Sequence, residues 1–369
     1  MDSPNSSGIG CARLEVHFLT NRKEGESVMK VTTVGLDLAK NVCAVHGVDE
    51  QGKVVLRRQV SRGRLLELFA QLPQCRVGVE ACSGAHYWAR ELERLGHRVG
   101  IMAARFVAPY RKSEKNDGND AEAICEAVSR PSMRFVPVKS AEQQALLVLH
   151  RVRQGLTAER TAAINQLRGL LAEFGIVLPK GRYRLRGRIG AVLEDAENRI
   201  PSLARGAFVD LNARIGELDQ KILAYDRELE ALARQSDAAR RLQQIPGIGP
   251  ISATALVASV ADARTFKNGR QFAAWLGLVP RQYTTGGHVR LGRITKRGDV
   301  YLRTLLIHGT RAVLSATRDK PDRLSRWAEA LRTRRGTRKA AVALAAKNAR
   351  IAWVLLARGG DYRRQLAAS

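Results

Sequence analysis

The sequence predicts a mixed α/β domain followed by a largely helical remainder, and three observations predict it. Short apolar runs bounded by turn residues alternate with amphipathic stretches between Val31 and Ala103, the order in which strands and helices build a layered sheet. Two long segments beyond Ala141 each carry apolar residues every three or four positions with no proline, as amphipathic helices do. After Gln244 the chain turns through Ile245-Pro246-Gly247-Ile248-Gly249-Pro250 and continues in helical patterns within a very basic stretch.

Val31–Asp37 (VTTVGLD) reads as a buried strand, and Val42–Val48 and Val54–Val60 as two more joined by the turn Asp49-Glu50-Gln51-Gly52. A helix follows over Arg64–Leu72, then a strand at Arg76–Glu80, a helix at Ala85–Leu95 and a strand at Arg98–Ala103. Leu149, Val152, Leu156, Ala163, Leu167, Leu170 and Phe174 predict one long helix over Ala141–Phe174. Leu211, Ile215, Leu218, Ile222, Tyr225, Leu229 and Leu232 keep 4-3 spacing for three heptads, which predicts a coiled coil. Its partner is the first long helix or a second subunit; a plain bundle helix within one monomer has the same pattern. Tyr301–Leu314, Leu324–Leu331 and Ala340–Leu356 read as helices. The expected divisions are a disordered leader at 1–28, an α/β domain at 29–138, long helices at 139–240, a mostly helical domain at 241–358 and a flexible tail at 359–369. Met29 offers a second start.

Lys and Arg outnumber Asp and Glu by 62 to 35, a net charge of +27, which is the balance of a polyanion-binding surface. Arg281–Arg350 alone holds 18 Lys or Arg against 4 Asp or Glu, so the excess is concentrated and nucleic acid is the expected partner. No run of about 18 uncharged apolar residues occurs, and the first 28 residues lack the apolar stretch of a secretory signal. The expected location is therefore the cytoplasm, with no membrane partner. The five cysteines form no C-x-x-C pair and read as reduced, packed thiols.

Three segments place acids where phosphoryl-transfer chemistry wants them. Asp37 ends the first strand, Glu80 ends a later one, and Asp117 and Asp120 stand three apart at the start of a helix, sharing a face. Strands ending at one sheet edge bring their terminal residues together there. Four carboxylates so placed repel one another unless a divalent cation lies among them, and their hard oxygens suit Mg²⁺ or Mn²⁺. Two such ions can activate an attacking oxygen and stabilise a leaving one. Taken singly, each acid also fits a cap or a solvated ion pair, and Asp120 fits a cap for a helix starting at Ala121.

The segments GLDLAKN, GVEACSGAHYW and KNDGNDAEAI resemble the three acidic motifs of the DEDD-type insertion-sequence transposases, also called bridge-RNA-guided recombinases and related to Piv-type DNA invertases. The resemblance spans about Met29 to Tyr362, with the motifs in order. It implies a RuvC-like, ribonuclease H-type first domain and makes Asp37, Glu80, Asp117 and Asp120 the metal-binding tetrad, with Mg²⁺ as cofactor.

In the second half, IPGIGPISATALVASV resembles the hairpin of a helix-hairpin-helix, in which Gly247 and Gly249 would offer backbone N–H groups to a DNA phosphate. A turn between two helices calls for glycine in any case. Further on, GLVPRQYTTGGHVRLGRITKRGDVYLR sets two hydroxyls beside Gly286 and Gly287, then Arg290, Arg293, Lys296, Arg297 and Arg303. In the resembled family a serine before glycine is the nucleophile that joins covalently to DNA; the matching residue here is Thr285. A β-branched alcohol is more hindered, so Thr285 attacks, or Thr284 does, or this copy is slow or inactive. Arg334, Arg335 and Arg338 add a phosphate-neutralising cluster, making steeply salt-dependent DNA binding the expectation. With 5% aromatic residues base stacking cannot dominate recognition, in keeping with the structured guide RNA that the resemblance implies. It also implies a composite site, in cis or in trans, with the coiled coil joining a homodimer or higher oligomer. The competing expectation is a RuvC-like nuclease or junction resolvase in which water attacks.

Overall fold

The computed structural model describes residues 31–112, 116–179, 181–316, 320 and 322–363. The expected leader and the end of the expected tail lie outside them. By internal contacts the chain divides into two units, one running to Cys82 and including Leu92–Arg134, the other comprising Ser83–Glu91 and the chain from Phe135 onward.

In the first unit the chain runs β1 (Thr33–Asp37), β2 (Val42–Val48), β3 (Val54–Ser61), α1 (Leu65–Gln71), β4 (Arg76–Glu80), α2 (Ala85–Arg94, shared with the second unit), β5 (Arg98–Met102), α3 (Ala104–Val107) and α4 (Asp117–Val128). Within this unit the sheet order is β3-β2-β1-β4-β5; β6 (Phe135–Val136), two residues long, belongs to the second unit. The β1, β2 and β3 strands form the expected antiparallel meander, whereas β1–β4 and β4–β5 pair in parallel. Parallel strands are covered on both faces and read as continuous apolar runs. Val34, Leu36, Val77 and Val79 are accordingly inaccessible to solvent.

Helix α4 lies directly on the strand backbones. A Cβ added to Gly35 would meet the Ala121 carbonyl oxygen at 2.0 Å, and one added to Gly78 would meet the Val128 Cβ at 2.7 Å. Only hydrogen at these two positions lets the helix descend so far. Ala121, Ala123, Ile124, Ala127 and Val128 are then buried beneath it.

The second unit is built on α5 (Ala141–Ala172), α6 (Arg182–Glu194) and α7 (Ser202–Gln235). α7 packs on α5, so the heptad stripe finds its partner in the first long helix. Ile215, Leu218, Ile222 and Leu229 are buried along it, and Ile215 shares a core with Ala163, Leu167 and Leu171 of α5. Each such aliphatic side chain contributes roughly 1.5–3 kcal/mol. The pairs Arg160–Asp219 and Arg153–Asp226 cross the seam. Val152 and Leu170, read from the sequence as facing residues, are exposed. A straight helix of 3.6 residues per turn drifts away from a fixed 3- and 4-residue stripe, and Leu171 takes the position assigned to Leu170.

The remaining elements are α8 (Asp237–Gln243), α9 (Pro250–Ser259), α10 (Gly269–Trp275), the hairpin β7 (Pro280–Thr285) and β8 (His288–Ile294), α11 (Val300–Ser315), α12 (Arg323–Arg335) and α13 (Thr337–Arg358). Leu242, Ile245, Leu256, Phe272, Leu302, Leu306 and Trp353 share their core. α13 is long and apolar enough to cross a membrane, but half of that stretch is buried within the protein, which is the condition of a core helix. The start of α11 is tied to α5: Asp299 caps α11 and pairs with Arg151 at 3.1 Å, and the Tyr301 hydroxyl lies 3.0 Å from Nδ1 of buried His150. Burial holds that imidazole down to about 4, so it is neutral at ordinary pH.

The seating of α4 is testable. Gly35→Ala forces backbone against backbone, and the expected loss is at or above the roughly 1–3 kcal/mol typical of overpacking. Gly63→Ala, with nothing within 4 Å of the added carbon, is the control and should melt like the parent. A Gly35→Ala protein with an unchanged melting temperature would show that α4 does not rest on β1.

Candidate active site and nucleic-acid interface

Strands β1, β4 and β5 repeat one pattern: Val34-Gly35-Leu36-Asp37, Val77-Gly78-Val79-Glu80 and Val99-Gly100-Ile101-Met102. They pair in register, Gly35 opposite Gly78 and Gly78 opposite Gly100. Glu80 stands opposite Met102, and Asp37 follows Leu36, which stands opposite Val79, so the two acids come level at the carboxyl edge. Side chains alternate along a strand. Asp37 and Glu80 therefore share the face of Gly35 and Gly78, the face that α4 covers.

α4 runs antiparallel to β1, since the Cys125 thiol lies 3.7 Å from the Thr33 carbonyl oxygen while Gly35 lies under Ala121 and Cys125. Two strand residues and four helical residues both advance about 6 Å. One step on from Gly35, Asp37 comes level with the turn that holds Asp117. From Gly78, which lies under Ile124 and Val128, the same step brings Glu80 level with Asp120. Asp37, Glu80 and Asp120 are half-buried, and Asp117 is exposed.

The cap of α4 differs from the sequence reading. Asn116 is the N-cap, its side chain accepting the Asn119 N–H at 2.9 Å, and Asp117 is the first helical residue. Both aspartates thus lie in the first turn, where the helix dipole favours negative charge. Arg111 donates from Nε to Asp120 at 2.6 Å. Cys82, two residues past Glu80, has its thiol pushed up first by burial and then by the charges of Asp37 and Glu80. Among the described residues, no group of three or more His, Cys, Asp or Glu side chains is arranged to hold a metal ion.

In the second unit the two glycines of the Ile245–Pro250 turn have different roles. Gly247 has φ +88° and packs on α11, where a Cβ on Gly309 would meet the Gly247 carbonyl oxygen at 1.8 Å. Asn348 also donates to the Pro246 carbonyl at 2.7 Å. Gly247 is thus required by close packing and a left-handed backbone. Gly249 has φ −88° and is exposed, capping the first turn of α9; its conformation needs no glycine.

Thr284 and Thr285 end β7, and Gly286 and Gly287, at φ +56° and +80°, form the two-residue turn into β8. Two consecutive left-handed residues match the twist of a tight hairpin. This hairpin is absent from the sequence reading, which assigned no strands to the region; Gly-Gly between β-prone residues was the available signal. The register sets Thr285 opposite His288 and Tyr283 opposite Arg290, so Thr285, His288, Tyr283 and Arg290 share one face. His288 was not singled out from sequence because only the pairing makes it a neighbour of Thr285. Arg290, Arg293, Lys296 and Arg297 are exposed, as are Arg334, Arg335 and Arg338 around the α12–α13 junction. Arg303 corrects an expectation: it is 7% exposed and donates to the carbonyls of Leu276 and Arg297 at 3.1 and 3.2 Å. A guanidinium spent on backbone carbonyls braces the loop behind the hairpin and is not presented to a phosphate.

Residues 34–176 match a family of DEDD transposases and residues 239–325 match the Transposase IS116/IS110/IS902 family. A probable family 20 transposase of Pseudomonas aeruginosa is 52% identical over 336 residues, covering 91% of this chain and 99% of the relative. The transposase for insertion sequence element IS1111A of Coxiella burnetii is 41% identical over 367 residues, 98% and 99% of the two chains. That for IS1328 of Yersinia enterocolitica is 42% identical over 329 residues, 89% and 98%. With both halves matched and relatives of 41–52% identity covering nearly the whole chain, the chain belongs to the IS110/IS116 family of DEDD insertion-sequence transposases, a family of DNA transposases and recombinases.

Proposed function

We propose that this transposase cuts and rejoins DNA strands at Asp37, Glu80, Asp117 and Asp120, with Thr285 as the attacking hydroxyl. The observation that carries the reading is the register of β1 and β4 under α4, which brings two strand-end acids level with two acids of one helical turn. Four carboxylates offer a hard, all-oxygen donor set, which fits Mg²⁺ or Mn²⁺ in kind. All four acids would hold the ion, and Asp120 would exchange Arg111 for it wherever the ion binds the oxygen that Arg111 holds. Once bound, it would neutralise their repulsion and the charge on the scissile phosphate.

In the step assigned to Thr285, the hydroxyl gives up its proton and Oγ1 forms a bond to phosphorus. The bond from phosphorus to the leaving DNA oxygen breaks, and that oxygen keeps the electron pair. Attack by a DNA hydroxyl on the same phosphorus reverses the exchange and rejoins strands without ATP. The exposed tip of the hairpin supports this role, because a nucleophile carried there can meet a phosphate held elsewhere. His288, opposite Thr285, is the hairpin group best situated to receive the proton. The tetrad and the hairpin belong to different units, and we read the active site as composite. Arg290, Arg293, Lys296, Arg297, Arg334, Arg335 and Arg338, with the exposed first turn of α9 at Gly249, form the surface proposed for the phosphates of double-stranded DNA. A structured guide RNA supplies base recognition, and a homodimer or higher oligomer, acting at the bacterial nucleoid, is the working assembly.

Three outcomes test this reading. Asp37→Ala, Glu80→Ala, Asp117→Ala and Asp120→Ala should each lower strand transfer by on the order of a hundredfold or more while leaving DNA binding intact; recombination retained in any two removes the tetrad. With labelled DNA, guide RNA and Mg²⁺, denaturing gels should show protein-linked DNA that Thr285→Ala abolishes and Thr285→Ser preserves or increases. Free ends without the linked product would favour hydrolysis by water. Finally, the double substitution Arg290→Ala/Arg293→Ala should reduce the slope of log affinity against log salt by about 2, and an unchanged slope would take these residues off the DNA.

A further inference from the structure

On α13, Lys347, Arg350, Ile351 and Val354 stand at i, i+3, i+4 and i+7, so they share one face. With Trp327 of α12 they line a shallow cavity of about 450 Å³, open to solvent over most of its face. The Lys347 ammonium lies 4.3 Å from the centre of the Trp327 ring. An adjoining cavity shares Lys347, Ile351 and Val354 and adds Arg323. Its two acids already serve the fold, Asp322 capping α12 and Asp361 accepting from Gln244.

The four tryptophans differ in how they are used. Trp88 and Trp353 are buried in the core, and Trp275 stacks with Phe272 beside Phe266. Trp353 also meets a cation, Arg358, but from within the core, whereas Trp327 is half-buried and meets Lys347. A phosphate needs positive charge and a base needs a flat apolar surface; this cavity offers both once the Lys347 ammonium, which lies over the Trp327 ring, moves from it to a phosphate. Lys347 is held below the usual lysine range first by burial and then by Arg350 and Arg323; an anion among these three cations would relieve that repulsion. The exposed Arg334, Arg335, Arg338 and Lys339 lie at the other end of the same two helices. From Arg338 to Lys347 is about 14 Å along α13, so a strand could follow the charges into the cavity.

We infer that the α12–α13 cavity binds an unpaired nucleotide of a single strand, its base against Trp327 and its phosphate on Lys347 and Arg350. Only the choice of nucleic acid as ligand rests on membership of the transposase family; the site is independent of the proposed tetrad and nucleophile.

The test uses the full chain with fluorescent 12-nucleotide oligo-U and oligo-dT and a blunt duplex, followed by anisotropy. Trp327→Ala should weaken single-strand binding roughly five- to a hundredfold, the range for loss of one stacked base, while Trp327→Phe keeps most of it and duplex affinity changes less than about twofold. Lys347→Gln should lower the single-strand salt slope by about 0.7. The oligonucleotide with the larger loss identifies RNA or DNA as the source of the nucleotide. Thermal melting checks each fold, and if Trp327→Ala is unfolded, the Trp327→Phe and Lys347→Gln results decide. Unchanged single-strand affinity in the folded variants, or an equal loss on duplex, overturns the inference. The readout is binding alone, with no strand transfer in it, so failure of this site and failure of the proposed active site give different patterns.

Discussion

Contact between the backbone of α4 and the backbones of β1 and β4 governs where each acidic motif can stand. Because Gly35 and Gly78 carry no side chain, α4 descends until the Ala121 carbonyl and the Cys125 amide lie over β1. At that depth a shift of one helical turn, about 5.4 Å, would carry Asp117 and Asp120 past the ends of the strands. The same contact explains why residues from one continuous helical turn can face residues from two strands more than forty positions apart in sequence. Small residues in the sheet are thus a positioning device, acting through the distance of closest approach and not through any polar group.

The hairpin β7–β8 presents the opposite condition. Among the described residues it pairs with no further strand, and all but its last residue are exposed. Isolated two-stranded hairpins are marginal in water, so its order must come from its base. That base is well held: a Cβ on Gly277 would meet the Arg297 carbonyl at 2.0 Å, one on Gly298 the Trp275 carbonyl at 1.9 Å, and Arg303 bridges two carbonyls from beneath. A rigid base and an uncovered tip suit a segment that completes its contacts on a ligand.

Much of the first unit was legible in the sequence because buried strands read as apolar runs and each ends in a residue of contrasting chemistry. The β1, β2 and β4 boundaries fall within two residues of those expected, and Asp37 and Glu80 are found level and on one face. The triple repeat of Val-Gly, which reports strand register directly, was present and unused. What the sequence did not reveal was tertiary. Asn116, not Asp120, caps α4, because cap choice depends on which residue leaves the helical backbone first. Arg303 looked like its neighbours in a basic run, and only the fold shows its guanidinium turned to carbonyls. Gly247 and Gly249 are alike in sequence, yet one is held by left-handed φ and backbone packing and the other sits exposed at a helix start.

Charge links these features. Half-buried acids in the same neighbourhood are costly without a counter-charge, and the fold relieves this in two ways: the aspartates lie at the positive end of α4, and Arg111 pairs with Asp120. A guanidinium held at 2.6 Å blocks the oxygen it bonds, so any divalent ion binding Asp120 through that oxygen must compete with Arg111. Such competition weakens ion binding relative to a preformed cage, and it makes the completion of the acidic cluster depend on whatever draws Arg111 away. In a protein of charge +27, the polyanion that the rest of the surface is built to meet is the natural competitor for an arginine. In the proposed active site, substrate and metal would thereby be coupled through one side chain: a phosphate that takes Arg111 would free a carboxylate oxygen for the ion.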